Sequence, residues 1–200
     1  MNLNLEMKSV LDKITDVDGD IVELGVYTGN NSVEFMLQVP SRKYFGFDTF
    51  CGYTNEDIEY PVNENKEGLI SNEGRWNHSK EKVISRIEEY KETFSLNTEY
   101  EIVEGDLKRT VPLHVKNKKI RNVALLYVDC NAYLPAIRGI EAIYPILSEG
   151  GIICIDEHQV GGETKAIEET AEKYGLDIID TGFKFVSGPH SNPSKYIVKK

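Results

Sequence analysis

The chain has 200 residues, of which 40% are apolar and 28% charged, and a formal net charge of −10 at pH 7. This composition is ordinary for one globular domain with a substantial core. The negative charge argues against nucleic acid or an anionic membrane as the main partner, because phosphate binding draws on clustered Lys and Arg. No apolar run has the length of a membrane span, and the first residues do not resemble a leader. The three cysteines form no C-x-x-C pair, so we expect free thiols and a cytoplasmic protein.

Apolar strand-like runs alternate with helical patterns along the chain, which predicts an α/β domain with a parallel sheet. We predict strands at residues 20–24, 43–47, 99–103, 122–128 and 152–155, and helices at 3–15, 31–38, 77–93, 133–147 and 163–174. Strand-like runs at 176–181, 183–186 and 195–198 follow, and the last two predict a hairpin. One domain, 1–200, accounts for all of these elements.

Residues 51–76 interrupt this alternation, with scattered Gly, Asn, Pro and acidic residues and no sustained period. A long irregular segment inside a compact domain is usually functional. We therefore predict that residues 51–78 form a lid-like insertion, with Tyr53 and Trp76 as apolar walls over a bound acceptor.

A glycine-bearing turn follows the first strand, with the pattern E-x-G-x-x-x-G at Glu23, Gly25 and Gly29. It differs from the G-x-G-x-x-G turn that brings a pyrophosphate onto a helix N-terminus. A carboxylate beside the turn disfavours a phosphate and favours a cationic or amino-bearing ligand. S-adenosylmethionine (SAM) is such a ligand, because it has a sulfonium, an α-amino group and no phosphate. An ordinary strand-turn of an α/β domain is the alternative.

An acidic residue ends or closely follows each of the five main strands. These residues are Glu23, Asp48, Asp106, Asp129 and Asp156. The carboxyl ends of parallel strands share one edge of a sheet, where ligands bind in open α/β folds. We expect Asp48 to accept hydrogen bonds from ribose hydroxyls and Asp106 to receive an adenine amino group, with Leu107 against the ring. Helix capping or a turn is the alternative role for any one of them.

A second acidic group combines Asp129 with Asp156 and Glu157. Three neighbouring carboxylates make a hard-oxygen site that suits Mg²⁺ or a similar cation. Without a cation they would repel one another and raise at least one pKa. His158 follows directly and is a candidate base, ligand or surface residue.

Five segments resemble, in the same order, the class I SAM-dependent methyltransferases and, more narrowly, the TylF/MycF family of macrocin and mycinamicin sugar O-methyltransferases. They are residues 22–29, 45–52, 105–112, 124–133 and 142–157. The resemblance implies a Rossmann-like, seven-stranded, mostly parallel sheet with an antiparallel C-terminal hairpin. It also implies Mg²⁺ ligation by Asp129, Asp156 and Glu157. With the residues beside them, the expected cofactor contacts are Glu23, Gly25, Tyr27, Thr28, Asp48, Thr49, Asp106, Leu107 and Asp129.

Two departures from the family pattern concern the metal. The family tends to carry D-x-D-x-Y after the fourth strand, whereas this chain has Asn131 at the second acidic position. It also tends to end the fifth strand with two aspartates, whereas here the second is Glu157.

The resulting hypothesis is Mg²⁺-dependent transfer of a methyl group from SAM to a hydroxyl of a sugar or other small-molecule acceptor, with Asp129 or His158 as the base. A catechol-like acceptor and a catalytically silent SAM-binding module are the alternatives. The sequence leaves open the acceptor and the oligomeric state, and a homo-oligomer is compatible with it.

Overall fold

A computed structural model of the chain describes residues 5–59, 74, 76–156, 162–187 and 190–200. The strands are β1 (Asp20–Leu24), β2 (Tyr44–Asp48), β3 (Tyr100–Glu104), β4 (Val123–Val128), β5 (Leu147–Ile155), β6 (Ile179–Ser187) and β7 (His190–Val198). The helices are α1 (Leu5–Lys13), α2 (Asn30–Gln38), α3 (Asn55–Glu59), α4 (Lys80–Phe94), α5 (Leu107–Lys116), α6 (Tyr133–Ile143) and α7 (Glu163–Tyr174).

The strands form one seven-stranded sheet in the order β3-β2-β1-β4-β5-β7-β6. Strands β1 to β5 pair in parallel, and β7 runs antiparallel to both β5 and β6. The predicted fold class is therefore confirmed. Because β1 pairs with β2 on one side and with β4 on the other, the strand order reverses at β1. In open α/β sheets, ligands bind at the carboxyl ends of the strands beside such a reversal.

Helices cover both faces of the sheet and create two apolar cores. Helices α1, α2 and α4 pack on the face that we call the α2 face, with Ile14, Phe35 and Ile87 in its core. Helices α5, α6 and α7 pack on the opposite face, the α6 face. Side chains alternate along a strand, and in β1 Ile21 lies in the core of the α2 face and Val22 in that of the α6 face.

Two helices lie where the sequence predicted none. Helix α3 falls within the segment predicted to be irregular, and α5 carries Pro112, which discourages a helical prediction. Asp106 caps α5 by accepting from the Lys108 N–H, and Leu107 and Val111 bury one side of the helix on the sheet. Burial of this face offsets the missing N–H of the proline.

The boundary between α6 and β5 was predicted wrongly. The helix ends at Ile143, a 3₁₀ turn spans Tyr144–Ile146, and β5 begins at Leu147. Pro145 is the physical reason, because proline disfavours continuation of a helix. Among the described residues, no helix combines the length and apolar composition needed to cross a bilayer.

Candidate active site

The turn after β1 lies where two neighbouring strands of the sheet end close together. Gly25 has φ +92°, and a Cβ there would come within 1.9 Å of the Asp129 carbonyl oxygen. Gly29 has φ +78° and is the N-cap residue of α2, and a Cβ there would come within 2.9 Å of Val83 in α4. Both glycines are therefore required by close packing as well as by backbone conformation. The turn joins β1, β4 and α4 into one rigid edge.

Asp48, the last residue of β2, holds this turn in place. Its Oδ2 accepts from the backbone N–H groups of Val26 and Tyr27, each at 2.8 Å. Its Oδ1 accepts from the Phe50 N–H at 2.7 Å. A carboxylate has about four acceptor positions, so the backbone already uses most of them. The hydrogen bond from a ribose hydroxyl to Asp48 remains a prediction, and it would use the acceptor position that the backbone leaves free.

Glu23 lies inside β1, with its side chain buried on the α2 face. Its Oε2 accepts hydrogen bonds from the Tyr44 hydroxyl and, at 3.0 Å, from the Ser32 hydroxyl. Its Oε1 is the one buried side-chain oxygen or nitrogen without a hydrogen-bond partner in the described part of the chain. Burial raises the pKa of Glu23 to about 8. Gly46 stands opposite Glu23 on β2, and a Cβ there would come within 2.6 Å of the Tyr44 hydroxyl oxygen.

Asp129 and Asp156 lie side by side just beyond β4 and β5, because Val128 is in register with Ile155. The Asn31 side-chain amide donates to Asp129 Oδ2 at 3.1 Å, and the Tyr127 hydroxyl donates to Asp156 Oδ1. Burial raises the pKa of Asp156.

The third predicted metal ligand, Glu157, and the candidate base His158 lie outside the described residues. Within those that are described, no three His, Cys, Asp or Glu side chains form a group that could hold a metal ion. The metal site therefore stays a prediction that rests on Asp129 and Asp156 as two of its three ligands.

Asp106 has the capping role that the sequence left open as an alternative, since its Oδ1 accepts from the Lys108 N–H at 3.0 Å. Leu107 is buried beside it. Thr49 donates its hydroxyl proton to the Gly52 carbonyl at 2.8 Å, and Thr28 is half-buried in the turn after β1. Their contacts with a cofactor remain predictions.

Two polar groups at this edge were missed by sequence reasoning. Asn31, at the second position of α2, reaches Asp129 from the other side of the turn. Its place after the second glycine of the E-x-G-x-x-x-G pattern is the only signal that could have indicated it. Glu163, at the start of α7, is buried and accepts a hydrogen bond from the Asn131 N–H, while the Gly162 N–H donates to the Asn131 carbonyl at 2.6 Å. The backbone around Asn131 is thereby fixed against α7.

Two large aromatic side chains border the turn. Tyr27 is 40% exposed and Trp76 is 42% exposed. Their ring centroids lie 5.4 Å apart in an edge-to-face arrangement, and the His78 ring lies 5.7 Å from that of Tyr27. Tyr27 has φ +47° and Trp76 φ +64°. A non-glycine residue in this region of φ is strained by roughly 1–3 kcal/mol, and such strain concentrates at functional sites.

The comparison with known families decides what kind of protein carries this edge. A family model described as macrocin O-methyltransferase (TylF) matches residues 2–179. The chain belongs to this family.

A relative from Streptomyces olivaceus, 8-demethyl-8-(2,3-dimethoxy-alpha-L-rhamnosyl)-tetracenomycin-C 4'-O-methyltransferase, is 25% identical over 166 residues. That alignment covers 80% of this chain and 60% of the relative. The chain therefore spans less than two thirds of the length of this relative.

Two solved structures share the fold. The calicheamicin methyltransferase CalS11 aligns at 24% identity with a TM-score of 0.70, over 97% of this chain and 77% of its own. The O-methyltransferase NovP aligns at 22% identity with a TM-score of 0.76, over 99% of this chain and 79% of its own. At these identities the likeness establishes the class I methyltransferase fold.

Proposed function

We propose that this TylF-family protein transfers a methyl group from SAM to a hydroxyl of a sugar-like small-molecule acceptor, with the help of a bound Mg²⁺. Family membership supports the reaction class. The name of the Streptomyces olivaceus relative describes methylation of a rhamnosyl group, and CalS11 is described as a TDP-rhamnose 3'-O-methyltransferase. The observation that carries the proposal is the pair of carboxyl groups, Glu23 and Asp48, held on either side of the Gly25 turn.

The residues around the turn fit SAM. The unpartnered Oε1 of Glu23 is a buried acceptor, and such an atom is unfavourable until a donor reaches it. The ammonium or sulfonium of SAM would stabilise the ionised form of a carboxyl whose pKa burial has raised to about 8. The absence of a side chain at Gly25 lets the turn approach the Asp129 backbone closely, which brings the turn next to the strand end that carries Asp129. Asp48 retains acceptor capacity for a ribose hydroxyl.

Asp129 and Asp156 fit a hard divalent cation, because both offer carboxylate oxygens at adjacent strand ends. Their hydrogen bonds to Asn31 and Tyr127 fix the orientation of these oxygens, as outer contacts do for metal ligands generally. Glu157 would complete the set that we propose.

The chain's own part in the reaction is mainly positioning. When bound, SAM supplies the electrophilic methyl group and Mg²⁺ lowers the pKa of an acceptor hydroxyl. Asp48 fixes the turn, and Asn31 orients Asp129, which with His158 is a candidate to take the hydroxyl proton. Alignment of two reactants can lower the activation free energy by roughly 7–11 kcal/mol. Displacement at a methyl group needs little covalent help beyond that.

Binding of SAM is the first test. A ligand at one hundred times its dissociation constant stabilises the folded state by about 2.7 kcal/mol. For a domain of this length that corresponds to a rise in Tm of roughly 5–10 °C. Titration with S-adenosylhomocysteine (SAH), followed by thermal unfolding and calorimetry, measures it. No heat and no shift at saturating SAH would refute the cofactor proposal.

Acceptor class is the second test. We expect methyl transfer from radiolabelled SAM to rhamnosides and other deoxysugar glycosides, and weaker transfer to catechols. A protein that binds SAH but neither binds Mg²⁺ nor methylates any member of the panel would be the silent SAM-binding module. Transfer to catechols alone would replace the sugar in the proposal.

A further inference from the structure

The ammonium group of Lys108 lies among three carboxylates contributed by two elements. Its Nζ is 2.8 Å from Asp57 Oδ1 and 3.3 Å from Glu56 Oε2, both on α3. It is also 3.5 Å from Asp106 Oδ1, at the start of its own helix α5. The Lys108 side chain is only 12% exposed. It therefore joins α3 to the strand end that carries the predicted adenine contact.

Asp57 extends this connection to Thr54 and so to the chain next to Tyr53. It is 4% exposed. Its Oδ2 accepts from the Thr54 N–H at 3.1 Å and from the Thr54 hydroxyl at 2.6 Å. The residue before Thr54 is Tyr53, so the ion pair fixes the stretch of chain from which the Tyr53 side chain projects.

Tyr53 meets a more polar environment than the apolar wall predicted for it. Its hydroxyl lies near the side chains of Cys130, Glu163, Asn131 and Asp129. Burial is the main reason that the pKa of Tyr53 is raised. A tyrosine hydroxyl beside Asn131 can hydrogen-bond a side-chain amide or an acceptor oxygen.

Loss of the Lys108–Asp57 ion pair should destabilise the structure locally. Burial alone would lower the pKa of Lys108, but the hydrogen bond and charge of Asp57, together with Asp106 and Glu56, outweigh it and raise that pKa. Lys108 therefore stays charged. Removal of one partner from a buried ion pair leaves the other charge uncompensated, which is strongly destabilising locally.

We propose that Lys108 is a positioning residue for the acceptor half of the active site, acting through Asp57 to hold residues 53–58 so that the Tyr53 hydroxyl stands against the 129–131 segment. This inference rests on the proposed function, which assigns that half of the site to the methyl acceptor. The competing explanation is an ion pair that only stabilises α5.

Hydrogen exchange measured by mass spectrometry tests the structural step without any acceptor. The variants are Lys108→Met, Asp57→Asn and, as a matched control, Lys116→Met, which removes an exposed lysine from the same helix. We expect the peptide spanning residues 53–58 to exchange about tenfold faster in Lys108→Met and in Asp57→Asn, through local opening. Peptides from β4 and α7 should exchange as in the unmodified protein. Unchanged exchange at 53–58 overturns the proposal. If Lys108→Met does not fold, Asp57→Asn decides.

Kinetics and binding test the functional step. In Lys108→Met we expect kcat/KM for the acceptor to fall about tenfold to a hundredfold. In Asp57→Asn, which leaves Asp106, Asp48 and the Gly25 turn unaltered, the Kd for SAH should change by less than about threefold. Lys108→Arg, which keeps the charge, should recover most of kcat/KM. A parallel loss of SAH affinity, or no recovery by arginine, would indicate a merely structural ion pair. Failure of the unmodified protein to bind SAH would instead refute the proposed function, and the exchange result would still stand.

Discussion

The Tyr44 hydroxyl donates a hydrogen bond to the Glu23 carboxyl group across the β1–β2 pair, and Ser32 of α2 donates to the same oxygen. Both residues of the pair are buried, Glu23 to 0% exposure and Tyr44 to 1%. The Glu23 carboxyl group thus lies beneath the turn that we assign to SAM. One of its oxygens accepts hydrogen bonds, and the other has no hydrogen-bond partner among the described residues.

The pH dependence of stability should report this buried carboxyl. Burial raises the pKa of Glu23 from 4.5 to about 8, so between these values the folded protein holds a proton that the unfolded chain has released. Stability therefore falls as pH rises through this window. From pH 5 to 8.5, the free energy of unfolding of the unmodified protein should fall by about 2–4 kcal/mol relative to Glu23→Gln. Urea unfolding at several pH values measures it, with Glu99→Gln, whose side chain is 80% exposed, as control. Parallel pH curves for Glu23→Gln and the unmodified protein would contradict the assignment.

Alanine at Gly25 should abolish SAH binding. The added Cβ would lie 1.9 Å from the backbone oxygen of Asp129, just beyond β4, at a residue with φ +92°. We expect a loss of more than about 3 kcal/mol of unfolding free energy, because backbone cannot move aside as a side chain can. Gly175→Ala is the matched control, since its φ is +62° and no atom lies within 4 Å of its added Cβ. That variant should lose only about 1 kcal/mol and bind SAH normally. Similar losses in the two variants would count against the close approach of β1 and β4.

Asp48→Asn should weaken SAH binding by loosening the turn. An asparagine can present an oxygen to the Val26 and Tyr27 N–H groups or to the Phe50 N–H, but not to both sides. The lost charge-assisted bonds are worth about 1.5–3 kcal/mol, and calorimetry should show a comparable loss of affinity. Asp180→Asn, which also removes a carboxylate that accepts from a backbone N–H but at an exposed position of β6, should leave the affinity unchanged. Unaltered SAH binding in Asp48→Asn would show that Asp48 is not part of the SAM-binding site.

Magnesium should stabilise the protein and be required for transfer. We expect added Mg²⁺ to raise Tm in the unmodified protein and in Asp106→Asn, because the latter changes a carboxylate at a different strand end. Asp129→Asn and Asp156→Asn should lose the shift, since each removes an oxygen ligand from the pair beyond β4 and β5. EDTA should abolish methyl transfer, and restoration by Mg²⁺ is the control. Equal rates with and without EDTA would take the metal out of the mechanism.

Fluorescence should follow binding at the turn, because Trp76 is the single tryptophan of the chain. Its ring packs edge-to-face on Tyr27, whose N–H is bonded to Asp48. We therefore expect SAH to change the intensity or wavelength of Trp76 emission. Tyr27→Ala should reduce the change, whereas Tyr174→Ala, equally 40% exposed but stacked on Tyr144, should not. If Tyr27→Ala leaves the change in Trp76 emission intact, the Tyr27–Trp76 pair is not part of the SAM-binding site.

Sequence reasoning reached the fold because the strands carry strong local signals. The buried runs of β1 and β4, the turn at Gly25 and the start of α7 at Glu163 all lie where periodicity and glycine placed them. Helix α5 was not predicted, because Pro112 disfavours a helix locally. Burial of Leu107 and Val111 on the sheet stabilises the helix nevertheless.

The site was only partly accessible from the sequence, for a different reason. Strand ends could be read, so Asp48, Asp129 and Asp156 were expected at one edge. Which backbone groups engage Asp48, and which helix brings Asn31 to Asp129 from 98 residues away, depends on tertiary packing. The Lys108–Asp57 contact likewise joins positions 51 residues apart that carry no shared local pattern.

Strand β7 lies between β5 and β6 in the sheet, although it follows both of them in the sequence. During synthesis, the strand that leads into Asp156 therefore has an unpaired neighbouring edge until residues 190–198 have left the ribosome. Exposed strand edges promote association between chains. The nascent protein is thus most vulnerable to aggregation just before β7 pairs with β5.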